Sequence, residues 1–226
     1  MACQICGGSG WIVKEVNGKR VSFRCKCQFE LSSKIYLKKS GIPKRYINCK
    51  FSNFTPQTPY QFRALKECER FFQLFPWTER GLVLYGPPGT GKTHLAVATL
   101  KNVIKYKGQK GVFCDFRNLL LTIKSTYDTN ESEAEIIETV VKAPLLILDD
   151  VGAERNTEWA KEKLNLIINY RYINKLPTII TTNLSFDGGL GERFSSKFDD
   201  RTESRIYEMC KIIKVEGNDR RKASSV

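Results

Sequence analysis

Gly86-Pro87-Pro88-Gly89-Thr90-Gly91-Lys92-Thr93 follows the run Gly81-Leu-Val-Leu-Tyr85 and leads into a helical pattern from His94 to Tyr106. The order of these three pieces decides how the rest of the chain is read. A short apolar run, a glycine-rich turn and a helix make a strand–loop–helix unit, and the turn fits G-x4-G-K-[ST]. Its glycines let successive backbone N–H groups close around phosphate oxygens, and the helix N-terminus favours negative charge. In that frame Lys92 reaches the terminal phosphates of a nucleotide, and Thr93 offers its hydroxyl to Mg²⁺. Gly86 to Thr93 are the expected nucleotide-binding residues. His94, the single histidine, stands beside them at the helix start and is not expected to be a metal ligand.

Two further strands complete this chemistry. Ala143-Pro-Leu-Leu-Ile-Leu-Asp149-Asp150 is a continuous apolar run ending in two carboxylates, as a central parallel strand would be. Neighbouring side chains on a strand point to opposite faces, so the two aspartates are expected to differ in role. Asp149 is assigned to the metal, Asp150 to the attacking water. Pro177-Thr-Ile-Ile-Thr-Thr-Asn183 ends in an amide able to hydrogen-bond a γ-phosphate or that water. With runs at 111–116 and 211–216, five strands (81–86, 111–116, 143–149, 177–183, 211–216) alternate with helical patterns at 91–107, 118–141, 158–174 and 199–209. The 118–141 stretch divides into Leu119–Tyr127 and Ser132–Val141 around an acidic break, Asp128–Glu131. Such alternation predicts one three-layer α/β domain with a five-stranded parallel sheet over residues 51–217. The Gly- and Ser-rich loop 185–198 is its least patterned part.

Ahead of it lie two close cysteine pairs, Cys3-x2-Cys6 and Cys25-x-Cys27. Their spacing matches a four-thiolate zinc site. The runs Trp11–Val16 and Val21–Arg24 around Asn17-Gly18 read as a hairpin with one pair at each end. About thirty residues cannot bury enough apolar surface to hold a fold unaided, whereas a structural zinc contributes ~10–16 kcal/mol of apparent binding energy. Residues 1–30 are therefore read as a zinc knuckle, 31–50 as a basic, partly helical connector broken at Gly41-Ile-Pro43, and 218–226 as a basic tail. Cys49, Cys68, Cys114 and Cys210 have no ligand spacing and read as plain thiols. Residues 1–50 hold eleven basic and two acidic residues, and the whole chain carries +13. That balance favours phosphate backbones or acidic surfaces as partners. No apolar run approaches a membrane span, and the first residues lack an apolar signal core, so a cytoplasmic protein without membrane contact is expected.

The Gly86–Thr93, Leu145–Asp150 and Thr181–Asn183 motifs, with Arg201-x3-Arg205 after them, resemble the AAA+ ATPases of the DnaC/DnaI type, the replicative helicase loaders. The allied IstB-type transposase helpers share these motifs. The resemblance spans about residues 48–217, and the N-terminal cysteine pairs are similar to the zinc module of Gram-positive-type loaders. It implies ATP, Mg²⁺ and structural Zn²⁺ as cofactors. Its implied partners are a hexameric replicative helicase, single-stranded DNA and further copies of the chain in an ATP-dependent ring or spiral. Arg205 is the implied arginine finger acting on a neighbouring subunit's nucleotide, with Arg201 as its helper. Arg117, Lys124 and Tyr127 are the implied contacts to single-stranded DNA, although Leu119, Leu120, Leu121 and Ile123 beside them read as core. Phe51 and Phe54 pack either by the nucleotide base or within the linker. Many AAA+ enzymes carry Glu where this chain has Asp150, and no helical lid is expected after the last strand. Both departures point to weak, switch-like ATP hydrolysis. A small-molecule kinase is the remaining reading, and no basic lid or second-substrate pattern after Asn183 supports it.

Overall fold

A computed structural model describes residues 3–16, 18–128, 132–188 and 191–222. Asn17 of the expected turn, residues 129–131 of the acidic break, 189–190 of the loop and 223–226 of the tail lie outside the described residues.

Five parallel strands form the central sheet: β3 (Gly81–Tyr85), β4 (Val112–Asp115), β5 (Leu146–Val151), β6 (Thr178–Thr182) and β7 (Cys210–Lys214). Their order across the sheet is β4-β5-β6-β3-β7. The chain leaves β3 for the far β4 edge and returns to its other flank only at β7. The crevice at the strands' carboxyl ends is where such sheets bind ligands.

Continuous apolar strands are explained by burial on both faces. Leu82, Leu84, Ile147 and Ile179 join Leu95, Val97 and Leu100 of α3 (Lys92–Asn102) in one core. Val83, Tyr85, Leu146, Leu148 and Ile180 pack on the other face, against α4 (Phe116–Ser125), α5 (Glu133–Val141), α6 (Glu158–Ile173) and α8 (Asp200–Met209). The three layers expected from the sequence are present. Several helices start at side-chain caps that the sequence also carries. Asp115, Thr157 and Asp199 accept from the N–H groups of Asn118, Ala160 and Thr202 at 2.9, 3.2 and 2.7 Å. A short α7 (Phe194–Lys197) lies in the loop before α8.

One long helix has no counterpart among the patterns read from the sequence. α2 (Pro59–Leu74) starts at Thr58, whose hydroxyl accepts from Gln61 N–H at 3.2 Å. It buries Gln61, Ala64, Leu65, Cys68 and Phe71 against α3, an i, i+3, i+4, i+7 stripe. Arg171 of α6 is wholly buried and serves the fold: its guanidinium donates to the carbonyls of Val141, Ala143 and Pro177 at 2.9, 2.8 and 2.6 Å. Cys49, Cys68 and Cys210 are buried and Cys114 half-buried.

At the N-terminal side, β1 (Trp11–Val16) and β2 (Lys19–Arg24) pair antiparallel, Val16 facing Lys19. The next helix, α1 (Lys26–Lys39), begins inside the second cysteine pair and runs through residue 30, so the knuckle and the connector share a helix. Among the described residues no helix follows β7, and residues 215–222 are loop and turn.

Candidate functional site

β3 delivers the chain to Gly86, and the turn re-enters helix at Lys92. Glycines are needed along this path, Gly91 and Gly89 among them. Gly91 has φ 102°, and a Cβ there would meet the Phe54 ring at 2.5 Å; Gly89 has φ 77° and no room beside Asp219. The Lys92 side chain curls back over the loop. Its Nζ donates to the carbonyls of Gly86 and Pro87 at 2.7 Å each and to Asn183 Oδ1 at 2.8 Å. Burial lowers its pKa to about 8. A desolvated ammonium held by neutral oxygens gains most when an anion replaces them.

Asp149 lies on the Ile147 face of β5, the side on which α3 packs. Thr181 Oγ1 donates to its Oδ1 at 2.6 Å, and the Thr93 hydroxyl also bonds it. Burial raises the Asp149 carboxyl to about 6. Strand alternation would send Asp150 to the opposite face, and here the expectation fails. The β5–β6 register shifts between Leu148 and Val151, and Asp150 adopts φ 55°. The bulge turns both carboxylates into one cleft, so their roles differ through their partners. Asp150 accepts from Asn183 Nδ2 at 3.4 Å, while its own N–H donates to Thr181 Oγ1 at 2.9 Å. Asn183 thus bridges Lys92 and Asp150 through the two ends of one amide. Thr181 organises both aspartates; two residues before Asn183, it was readable from the strand period alone.

The cleft holds about 330 Å³ and contains His94 together with Arg45, Tyr46, Arg220 and Arg221. The last four come from the connector and the tail, too far along the chain for a motif to signal them. Burial, then the charge of Asp149, raises the Tyr46 phenol, whose hydroxyl meets that of Thr93. His94 Nε2 bonds the Lys50 carbonyl at 2.9 Å, and burial lowers the imidazole pKa. Its ring lies 5.3 Å from that of Phe54, and the Arg220 guanidinium lies 4.5 Å from the Phe54 ring. Phe54 is buried and backs the cleft from behind Gly91. Phe51 lines a separate groove beside Lys101. The tail is folded onto the loop: Arg220 N–H donates to Gly89 O at 3.0 Å, and Arg220 Nη1 to Thr55 O at 2.8 Å.

Arg205 and Arg201 lie on α8, outside this cleft. Arg205 is half-buried with its guanidinium 5.9 Å from the Tyr172 ring, and Arg201 is exposed. Arg117 and Lys124 line a second cavity, of about 410 Å³, with Trp159. Tyr127 is exposed and bonds Glu133 at 3.2 Å. The four N-terminal sulfurs converge, all within 4.8 Å of one another, with Cys3–Cys25 at 3.8 Å and Cys6–Cys27 at 3.4 Å. Sulfurs about 2.3 Å from a tetrahedral zinc stand ~3.8 Å apart, so the group fits such an ion. Backbone N–H groups of Ile5 and Cys6 lower the pKa of Cys3, whereas the Cys6 thiol beside it raises Cys27 to about 12, so the four sulfurs share their protons unequally. No helix among the described residues is long and apolar enough to cross a membrane.

A phosphate loop on β3, an acidic pair ending β5 and a polar residue ending the intervening β6 define the AAA+ form of the P-loop ATP-binding core. The chain belongs to the IstB-like ATP binding protein family, whose profile matches residues 43–226. It is 28% identical over 159 residues to the replicative helicase loader DnaC of Escherichia coli K12, covering 69% of this chain and 64% of DnaC. An uncharacterised Bacillus subtilis protein, YqaM, is 28% identical over 210 residues, 87% of this chain and 64% of YqaM. The chain thus spans somewhat under two thirds of these relatives. A crystal structure of the DnaC helicase loader superposes with a TM-score of 0.70 at 38% identity, covering 77% of this chain and 100% of that one.

Proposed function

We propose that this protein is an ATP-driven loader of a replicative DNA helicase, working as an assembly whose subunits complete one another's nucleotide sites. The observation that carries the reading is the gathering of the phosphate loop, both aspartates and Asn183 in one cleft. Arg205 is held on α8 away from it. Arg45, Arg220 and Arg221 of the same chain stand at the cleft, and in this reading Arg205 from the α8 of an adjacent copy adds the cation aimed at γ-phosphate charge. Likeness to DnaC supports the choice of client.

In this reading the loop N–H groups and Lys92 bind the phosphates, Lys92 exchanging its carbonyl partners for anionic oxygens. Thr93 and Asp149 would hold Mg²⁺, which supplies charge neutralisation at the phosphates. Asp150 and Asn183 orient the attacking water, and the neighbour's Arg205, helped by Arg201, stabilises the charge that develops. The four cysteines would carry a structural Zn²⁺, leaving no open coordination position. The N-terminal module it organises grips the helicase. Single-stranded DNA lies along Arg117, Lys124 and Tyr127. Hydrolysis releases the client.

The test is a mixing experiment. Lys92→Ala and Arg205→Ala should each lower ATP turnover by at least about tenfold. An equimolar mixture should recover part of it, because one mutant keeps its finger and the other its phosphate loop. Absence of recovery refutes action between subunits. The family also takes its name from transposase helpers, and pull-down of a transposase in place of a hexameric helicase would replace the client while keeping the engine.

A further inference from the structure

The corner where α1 lies against the end of α3 plays no part in the nucleotide cleft, and its charge is predominantly positive, with Glu30 the one carboxylate on α1. Residues 31–66 hold eight Lys or Arg and residues 80–114 hold six, with no Asp or Glu in either stretch. α1 is fastened there by Ser33 Oγ, which donates to Ile104 O at 3.0 Å, and by the Phe29 ring packed at Gly108. Around this junction the lysines lie over aromatic rings. Lys105 Nζ is 5.0 Å from the Tyr106 centroid, Lys107 5.4 Å from Phe72 and Lys110 5.6 Å from Tyr36. Lys39, three positions after Tyr36, shares its side of α1. Lys50 and Lys101 join Lys105 along a groove of about 340 Å³ beside Tyr106.

These six ammonium groups are not neutralised. Lys101 and Lys107 donate to the carbonyls of Cys49 and Gln73, each at 2.9 Å, and neutral acceptors leave the charge in place. Among the described residues none of the six forms a salt bridge. A connected face of like charges opposes its own folding and is offset when a polyanion covers it.

We propose that this face binds the sugar–phosphate backbone of duplex DNA, independently of nucleotide and of the single strand assigned above. Three features favour duplex. Lysine is a point charge suited to phosphate oxygens and carries no base-reading fork. Tyr36 and Phe72 are half-buried and of the three rings Tyr106 alone is exposed, whereas single-strand sites depend on successive open rings for stacking. A dense row of cations matches the duplex, which presents a charge about every 1.7 Å along its axis.

The experiment is fluorescence anisotropy of the full chain with a labelled ~30-bp duplex of arbitrary sequence, without nucleotide, across a salt series. The triple variant Lys39→Gln/Lys105→Gln/Lys110→Gln alters exposed side chains. It should weaken duplex binding at low salt by about 10–100-fold and flatten the log–log salt slope by roughly three. A charge-matched triple on the hairpin, Lys14→Gln/Lys19→Gln/Arg20→Gln, should stay within about threefold of the parent at moderate salt, because remote charges are screened. Circular dichroism and the melting temperature confirm that both variants fold. Equal losses in the two triples would reduce the effect to overall charge and overturn the proposal. An equal loss of binding to a single-stranded oligonucleotide would overturn the choice of duplex. Tighter binding of polyglutamate than of duplex would assign the face to an acidic protein instead.

Discussion

Replacing Asp149 by Asn should stabilise the nucleotide-free protein while disabling it. Asp149 is 5% exposed, and its carboxyl is raised from 3.8 to about 6 by burial. That displacement corresponds to about 3 kcal/mol that the native state gives up to keep the group ionised at neutral pH. The direction follows from proton binding: between about pH 4 and pH 6 the native carboxyl holds a proton that the unfolded chain has released. The parent's stability is therefore greatest below this window and is lost as pH rises through it. Asn keeps the oxygen that accepts from Thr181 and cannot ionise. Asp149→Asn should gain about 2–3 kcal/mol at pH 7.5, or ~4–12 °C in melting temperature for a chain of this length, and lose most of the parent's pH dependence in that window. The assay is urea and thermal unfolding at pH 4.5, 6 and 7.5, with and without Mg²⁺ and a non-hydrolysable ATP analogue. The parent should be stabilised by the pair, and the variant should not respond to the metal. A variant less stable than the parent at pH 7.5 without nucleotide, or with an unchanged pH profile, refutes the reasoning.

Asn183→Ala should lower turnover by about tenfold or more while preserving the analogue-induced rise in melting temperature, since it removes an orienting amide but no phosphate ligand; initial-rate assays beside thermal shifts check this. Gly91→Ala places a Cβ at 2.5 Å from Phe54 with φ 102°, so the urea midpoint should fall by the equivalent of about 1–3 kcal/mol. The companion change Phe54→Leu should recover the part due to the clash and not the part due to the backbone. Cys25→Ser should remove about one equivalent of zinc per chain by elemental analysis. It should also unfold the hairpin by proton NMR, while the melting of the ATP-binding core stays where it was.

The readable parts of this molecule are those in which local pattern and tertiary role coincide. β3, β5 and β6 are buried on both faces and appear as continuous apolar runs, and the phosphate loop cannot be built without its glycines. α2 was hidden because its amphipathic stripe mixes Gln61, Ala64 and Cys68 with larger residues, and its cap, Thr58-Pro59, stands in a polar stretch. The orientation of Asp150 depends on a bulge held by Thr181 on the next strand, a cross-strand effect that alternation cannot foresee. Arg45, Tyr46 and Arg220 reach the cleft only because the connector and the tail fold back over the loop. Their distance in sequence from Lys92 removes any spacing by which to find them.

Gln61 is wholly enclosed, its Oε1 receiving the Gln57 N–H at 2.8 Å and its Nε2 donating to Thr90 O at 3.2 Å, while Thr58 Oγ1 donates to Glu216 O at 2.6 Å. The start of one helix, the crest of the phosphate loop and the exit from the last strand are thereby clamped into a single rigid body. Loosening any one of the three would therefore be felt at the other two, so the loop owes its stiffness to parts of the chain far from it in sequence.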